Sequence, residues 1–218
     1  MMINILKKKL SWIARFWRDI SDYPQLSLEH VDYDRYWQEK RGKNMGTCNS
    51  YQLARAEWIL KRIEEGVTVT DLGCGDGSVL LHMLRNKSFI GIGVDTSKYA
   101  LDYLSGQGVK TIQKKLDEDG ALDNLEKSDH ILMLEVLEHM QNPEQFLQNV
   151  VNKARKSVFF SFPNTGFIKY RFRFLCGRFP VQWRVHPGEH LRYWTLKDLQ
   201  WWLGELGYAQ NATIHVYE

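Results

Sequence analysis

The chain of 218 residues, 44% hydrophobic and 13% aromatic, suits one domain, or one domain with an appendage, and can bury a full core. A formal net charge of +3 gives no basis for reading it as a nucleic-acid binder. Its three cysteines, Cys48, Cys74 and Cys176, are odd in number and widely spaced, which implies no disulfide framework or zinc pattern and fits a reducing cytoplasm.

Residues 3–20 place Ile3, Leu6, Leu10, Ile13, Trp17 and Ile20 at helical spacing with Lys7, Lys8, Lys9, Arg15 and Arg18 mostly between them. This predicts a basic amphipathic helix that can lie on an anionic membrane surface, or else pack on its own domain or a dimer partner. The lysines interrupt any signal-peptide core, and no apolar run approaches the roughly 20 residues of a membrane span. A linker from Tyr23 to Leu28 and an aromatic segment, Tyr33 to Trp37, complete an N-terminal part over residues 1–48. Asn49 or Ser50 then caps a helix carrying Leu53, Ala56, Ile59, Leu60 and Ile63.

The stretch Val69-Thr70-Asp71-Leu72-Gly73-Cys74-Gly75-Asp76-Gly77-Ser78 follows. A β-branched run ending in an acid, three glycines at alternate positions and a helical pattern predict strand, tight turn and helix, the first unit of an open, doubly wound sheet. Glycines let a ligand approach the backbone, and Asp71 suggests a ligand with a cationic end. A second strand, Gly91 to Val94, ends in Asp95. A helix from Ser97 to Leu104 and strands at Val109–Ile112, His130–Leu134 and Ser157–Phe162 continue the alternation. Asn142-Pro143 starts a helix between the last two strands, and Thr195-Leu196-Lys197-Asp198 forms a capping-box start for another. Ala212 to Val216 reads as a sixth strand. Residues 165–193 interleave aromatics with Lys169, Arg171, Arg173, Arg178, Arg184 and Arg192. So long a connection, about 30 residues, reads as a lid with a specificity role for an acidic or phosphate-bearing acceptor.

The string Asp71 to Gly77 resembles the first motif of class I S-adenosylmethionine-dependent methyltransferases. The resemblance implies a mostly parallel, Rossmann-like sheet, shortened here at its C-terminal hairpin, over residues 49–218. It also implies S-adenosylmethionine as cofactor, held by Asp71, Gly73, Cys74, Gly75, Asp95, Thr96, Lys115, Leu116 and Leu134. Lys115 stands where the family usually offers an acid to the adenine. The segment Tyr33 to Trp37 resembles one that helps cover the donor in such enzymes. The competing reading is a nicotinamide dinucleotide site, although Ser78 stands where its G-x-G-x-x-G fingerprint has the third glycine.

Directly after the fourth strand, Glu135-Val136-Leu137-Glu138-His139 would bring two acids and an imidazole to one face of a helical turn. Such hard ligands can hold a divalent cation. The string is similar to one in ubiquinone-pathway O-methyltransferases and small-RNA 2′-O-methyltransferases. In the RNA enzymes a histidine four residues before a Trp-Thr pair joins the metal, as His190 is placed before Trp194-Thr195. The metal candidates are therefore Glu135, Glu138, His139 and His190. The catalytic candidates are His139, His186 and His190, each able to take a proton from an acceptor hydroxyl or amine.

From about residue 67 to 208 the chain looks like the methionine-biosynthesis protein MetW, on Leu72 to Ser78, Ser161 to Gly166, Gly177 to Val181, His190 and Gly207. Members of that family are associated with homoserine O-acyltransferase. The resemblance leaves two readings, an active O-methyltransferase on a small or lipid-linked hydroxylated acceptor, or a regulatory partner subunit in methionine synthesis.

Overall fold

The structure, a computed structural model, describes residues 14, 17–18, 20–23, 32–182 and 187–217. The amphipathic helix expected over 3–20 lies largely outside these, although Ala14, Trp17, Arg18, Ile20 and Ser21 are helical. His186 and the 24–28 linker also lie outside them. The chain divides into two compact units, Val31–Phe162 with Thr213–Glu218, and Met1–His30 with Pro163–Ala212.

The first unit carries a five-stranded, wholly parallel sheet. Its elements are α1 (Tyr33–Lys40), α2 (Ser50–Leu60), β1 (Thr68–Leu72), α3 (Ser78–Asn86), β2 (Ile90–Asp95), α4 (Lys98–Gly106), β3 (Lys110–Gln113), β4 (Ser128–Leu134), α5 (Pro143–Lys153) and β5 (Ala154–Ser161). The strands run in the order β3-β2-β1-β4-β5. β4 reads Ser-Asp-His-Ile-Leu-Met-Leu, and its carboxyl half, Ile131 to Leu134, is the continuous apolar run that a parallel sheet covered on both faces requires. Val69 and Leu132, from the central strands, join Ala56 and Ile59 of α2, Leu80 and Met83 of α3, and Leu104 of α4 in one buried cluster. Helix starts follow side-chain chemistry. Asn49 and Gln52 form a reciprocal capping box on α2, and Ser97 accepts from Ala100 N at the start of α4.

The chain winds from β1 outward to β3, then returns past β1 to lay down β4 and β5. Strand order therefore reverses between β1 and β4, and the crevice at their carboxyl ends is where open α/β sheets bind ligands. The sixth strand expected over Ala212–Val216 does not form. That segment makes its ring contacts with α2 instead: His215 stacks on Trp58 at 5.6 Å and Tyr217 meets Tyr51 edge-on at 5.3 Å, so β5 remains an edge strand.

The second unit holds α6 (Ile168–Leu175), a short 3-10 turn at Pro187–Glu189, and α7 (Leu196–Glu205). Thr195 and Asp198 make the capping box expected for α7. Asn164 pairs with Trp194 in an isolated parallel bridge, with Thr165 N donating to Trp194 O at 2.9 Å. The segment expected as a lid thus contains a helix. Arg173, 1% exposed, is the buried residue of that helix. Its Nε donates to Phe179 O at 3.0 Å, and its Nη1 donates to Ile20 O at 2.9 Å and Asp22 O at 3.0 Å.

Candidate active site

The turn after β1 is built on backbone that only glycine adopts readily. Gly73, Gly75 and Gly77 have φ of 74°, 54° and 69°. The N–H groups of Gly73 and Cys74 both donate to Val94 O, at 2.8 and 3.1 Å, which ties the turn to the end of β2. Asp95, the last residue of β2, completes the tie: its Oδ2 accepts from Gly75 N at 2.8 Å and its Oδ1 from Ser97 N at 2.9 Å. The acid and the glycine loop that the sequence pairs at a distance form one structure here.

Asp71 is buried beside them. Burial, with the Asp95 carboxylate adding, pushes its pKa up to about 8, while the Arg55 guanidinium works in the opposite direction. Burial also raises Asp95, although the N–H groups of Ser97, Gly75 and Thr96 oppose the rise. The half-buried Cys74 thiol is raised well above its usual range, first by desolvation and then by Asp71, which leaves it an inert thiol and not a nucleophile. Of the other residues expected at a donor, Leu134 ends β4 opposite Ser161, and the Thr96 carbonyl accepts from Gln113 Nε2 at 3.1 Å. Lys115 is exposed and pairs with Asp117 at 3.5 Å, followed by the half-buried Leu116.

The expected helical turn over Glu135–His139 forms only in part. Glu135 is the one non-glycine residue with positive φ, 61°, among those described, and the 3-10 turn begins after it, at Leu137–His139. Glu135 therefore leaves the shared face. Its Oε1 accepts from Arg55 Nη1 at 2.6 Å and from Ser161 Oγ at 2.9 Å, so a cation already holds one of the four carboxylate and imidazole groups expected to ligate a metal. A strained residue at a strand end beside a ligand crevice is a common mark of a functional site.

Glu138 is buried, and neither of its carboxyl oxygens has a hydrogen-bond partner among the described residues. Desolvation, reinforced by the Glu135 carboxylate, raises its pKa well above the usual carboxylate value, while the Arg55 guanidinium opposes the rise. Glu138 and the adjacent His139 are the side chains of this unit that could serve as hard ligands to a cation. His190 belongs to the other unit, where it is buried with its ring 6.3 Å from that of Tyr193.

Three further contributors are not singled out by the sequence as site residues, although Asp76 lies within the glycine motif and Asp34 within the Tyr33–Trp37 segment. Arg55, midway along α2, is the cation that faces Glu135. Asp76, 1% exposed, accepts from Gly46 N at 3.0 Å and Ser78 N at 3.1 Å and lies 3.4 Å from Arg41 Nε. Asp34 of α1 accepts from Ser97 Oγ at 2.6 Å and Tyr99 N at 3.0 Å, just beyond Asp95. These bonds lay α1 along the glycine loop, with the Trp37 ring occupying the space where a Cβ on Gly75 would stand.

A parallel sheet of this order, with an acid–glycine turn after β1 and an acid closing β2, is the Rossmann-like fold of the class I methyltransferases. Within that class the chain belongs to the MetW family: the model of the methionine biosynthesis protein MetW matches residues 54–201. It is 31% identical over 108 residues to N-methyltransferase 4 of Papaver somniferum, covering 46% of this chain and 30% of the relative. It is 26% identical over 131 residues to the ubiquinone biosynthesis O-methyltransferase of Rickettsia typhi, covering 55% of this chain and 51% of that one. A bifunctional methionine biosynthesis protein MetXA/MetW of Rhodopirellula baltica is 24% identical over 166 residues, 69% of this chain and 26% of the relative. The chain thus spans about half or less of the length of these relatives. Among solved structures, magnesium protoporphyrin IX methyltransferase from Synechocystis PCC 6803 with bound SAH superposes with a TM-score of 0.55 at 17% identity, over 90% of this chain and 84% of that one, and so shares the fold.

Proposed function

We propose that this protein is an S-adenosylmethionine-dependent methyltransferase acting on the oxygen of a small or lipid-linked hydroxylated acceptor. The observation that carries the reading is the glycine turn tied through Gly75 N to the Asp95 carboxylate, with the second buried acid, Asp71, alongside. Backbone that carries no side chain suits close approach of the donor at the half-buried Gly73, and two acids suit its hydroxyls and cationic end. When bound, the donor supplies a methyl group on a sulfonium centre, which is displaced in line by the acceptor oxygen.

The chain's contribution is mainly placement, which supplies much of the rate in such displacements. Asp95 is fixed by two backbone N–H groups and so is oriented before any ligand arrives. Arg55 holds Glu135 against Ser161 at the rim of the same strand ends. Glu138, whose burial favours the protonated form, can in that form donate a hydrogen bond to an acceptor oxygen; His139 is the imidazole adjacent to it in this unit.

Titration calorimetry with the methyl donor tests the reading. A charged hydrogen bond to the donor is worth about 1.5–3 kcal/mol, so Asp95→Ala should weaken binding by about tenfold or more. Tighter binding of a nicotinamide dinucleotide than of S-adenosylmethionine would overturn it. A second reading is favoured by the family match and by the relative that joins MetW to MetXA in one chain: a donor-binding partner subunit that regulates a homoserine O-acyltransferase. Donor binding without turnover on any hydroxylated acceptor, together with a change in acyltransferase activity on mixing, would select it.

A further inference from the structure

Helix α6 is inverted with respect to water. Its sequence is Ile-Lys-Tyr-Arg-Phe-Arg-Phe-Leu, and the side chain it buries is the guanidinium of Arg173, whereas its large apolar side chains face outward. Ile168, Phe172 and Leu175 recur at i, i+4 and i+7, the spacing of one helical stripe. Leu175 is 81% exposed. Phe167, Phe174 and Phe179 lie in the exposed set beside them. A helix that turned this way by packing accident would simply have placed its phenylalanines inward. Here Arg173 is fixed inward by three backbone carbonyls, so the apolar stripe is held outward.

The charge around the stripe indicates what covers it. From Pro163 to Gly188 the chain contains no aspartate or glutamate, and Lys169, Arg171 and Arg178 flank the apolar residues. Arg171 is exposed, with its Nε on Gly166 O at 2.7 Å. A short helix with aromatic and leucine side chains outward and cations at its margins matches the interface of an anionic bilayer, where apolar side chains enter the acyl boundary and guanidinium groups meet phosphates. No helix among the described residues is long and apolar enough to cross a membrane.

We propose that α6 with its flanking residues Phe167 and Phe179 is a membrane-docking surface that seats this protein peripherally on bilayers rich in anionic phospholipid. This goes beyond the methyl-transfer reading and does not depend on it.

Co-sedimentation of the full chain with vesicles tests it. The protein should pellet with equimolar phosphatidylcholine and phosphatidylglycerol, stay in solution with phosphatidylcholine alone, and be released by high salt. The double substitution Phe172→Ser with Leu175→Ser, at exposed positions, should lower the vesicle-bound partition by about tenfold or more with an unchanged circular dichroism spectrum. Arg171→Glu should lower it without removing apolar area. Binding that survives the serine pair would assign any affinity to the basic residues 7–18 and overturn the proposal. So would failure to bind anionic vesicles, or a concentration-dependent dimer in sedimentation velocity that the serine pair dissolves, which would make a second copy the occupant. Methyl transfer is not read in any arm, so failure of the docking surface and failure of the enzyme reading are distinguishable.

Discussion

At the scale of single residues the site is a concentration of acid with little cation. Asp71, Asp95 and Glu138 are all raised by burial, and Arg55 is the guanidinium that opposes the rise at Asp71 and Glu138. The sign of the consequence follows from linkage. An unfolded aspartate releases its proton near pH 4, whereas folded Asp71 holds it up to about 8. Between these values the folded state binds the extra proton, so stability falls as pH rises through this window and levels off above it. Asp95 and Glu138 act in the same direction. Glu64, held down to about 2 first by His130, has the opposite sign, but its effect is confined to lower pH. Asp71→Asn removes one titrating group without removing its shape. Its melting temperature should exceed that of the wild type at neutral pH, with a shallower decline between about pH 5 and 8. A wild-type protein whose melting temperature rises through that window would contradict the buried-acid account. The acids and glycines were legible in the sequence because their spacing is dictated by the backbone turn. Arg55 was not, since a single arginine in an amphipathic helix has the pattern of any solvated one.

At the scale of elements, the sequence was informative at three helix starts where a side chain bonds its own backbone, but not at Asp32, whose cap on α1 through Asp34 N and Arg35 N was not read. Asn49, Ser97 and Thr195 each start a helix by accepting from the N–H three positions on, and all three starts were readable to within a residue. It failed where periodicity was taken to imply a partner. Ala212–Val216 has the composition of a strand, yet its rings found Trp58 and Tyr51 first. Glu135–His139 has helical spacing, yet the positive φ at Glu135 breaks the turn. The element that most shapes the loop is α1, latched by Asp34 and Arg41 with Trp37 lying on Gly75. Gly75→Ala should cost about 1–2 kcal/mol from left-handed backbone alone. Displacing the Trp37 ring adds to this, because the new Cβ would overlap its Cζ2. In a double-mutant cycle by denaturant unfolding, Trp37→Ala should recover the steric part and leave the backbone part, giving a coupling of about 0.5–3 kcal/mol. Strict additivity would show that the tryptophan does not rest on the loop.

At the scale of the whole molecule, one unit is assembled from stretches at opposite ends of the first two hundred residues, Met1–His30 and Pro163–Ala212. Sequence reading divides a chain by contiguous blocks, and nothing in the pattern of residues 1–48 reports a bond to residue 173. The joint is Arg173, whose partner Ile20 is 153 positions away. Arg178 adds a bond to Ser21 O, and both guanidinium groups lie over the Tyr23 ring, at 5.5 and 4.9 Å. Contacts of such separation form late and at high entropic cost, so they are seldom held by one weak interaction. Arg173→Met would leave three carbonyls without their donor, at about 1–3 kcal/mol for each that is left dry. Arg173→Lys should rescue only part of this, because an ammonium lacks the planar fork that reaches carbonyls on two sides. Native-state hydrogen exchange gives the readout. In Arg173→Met the amides of α6 and of residues 20–23 should lose protection, while those of β1 and β4 keep theirs. Equal loss in the sheet would mean that Arg173 supports the fold as a whole and not the joint between its terminal stretches.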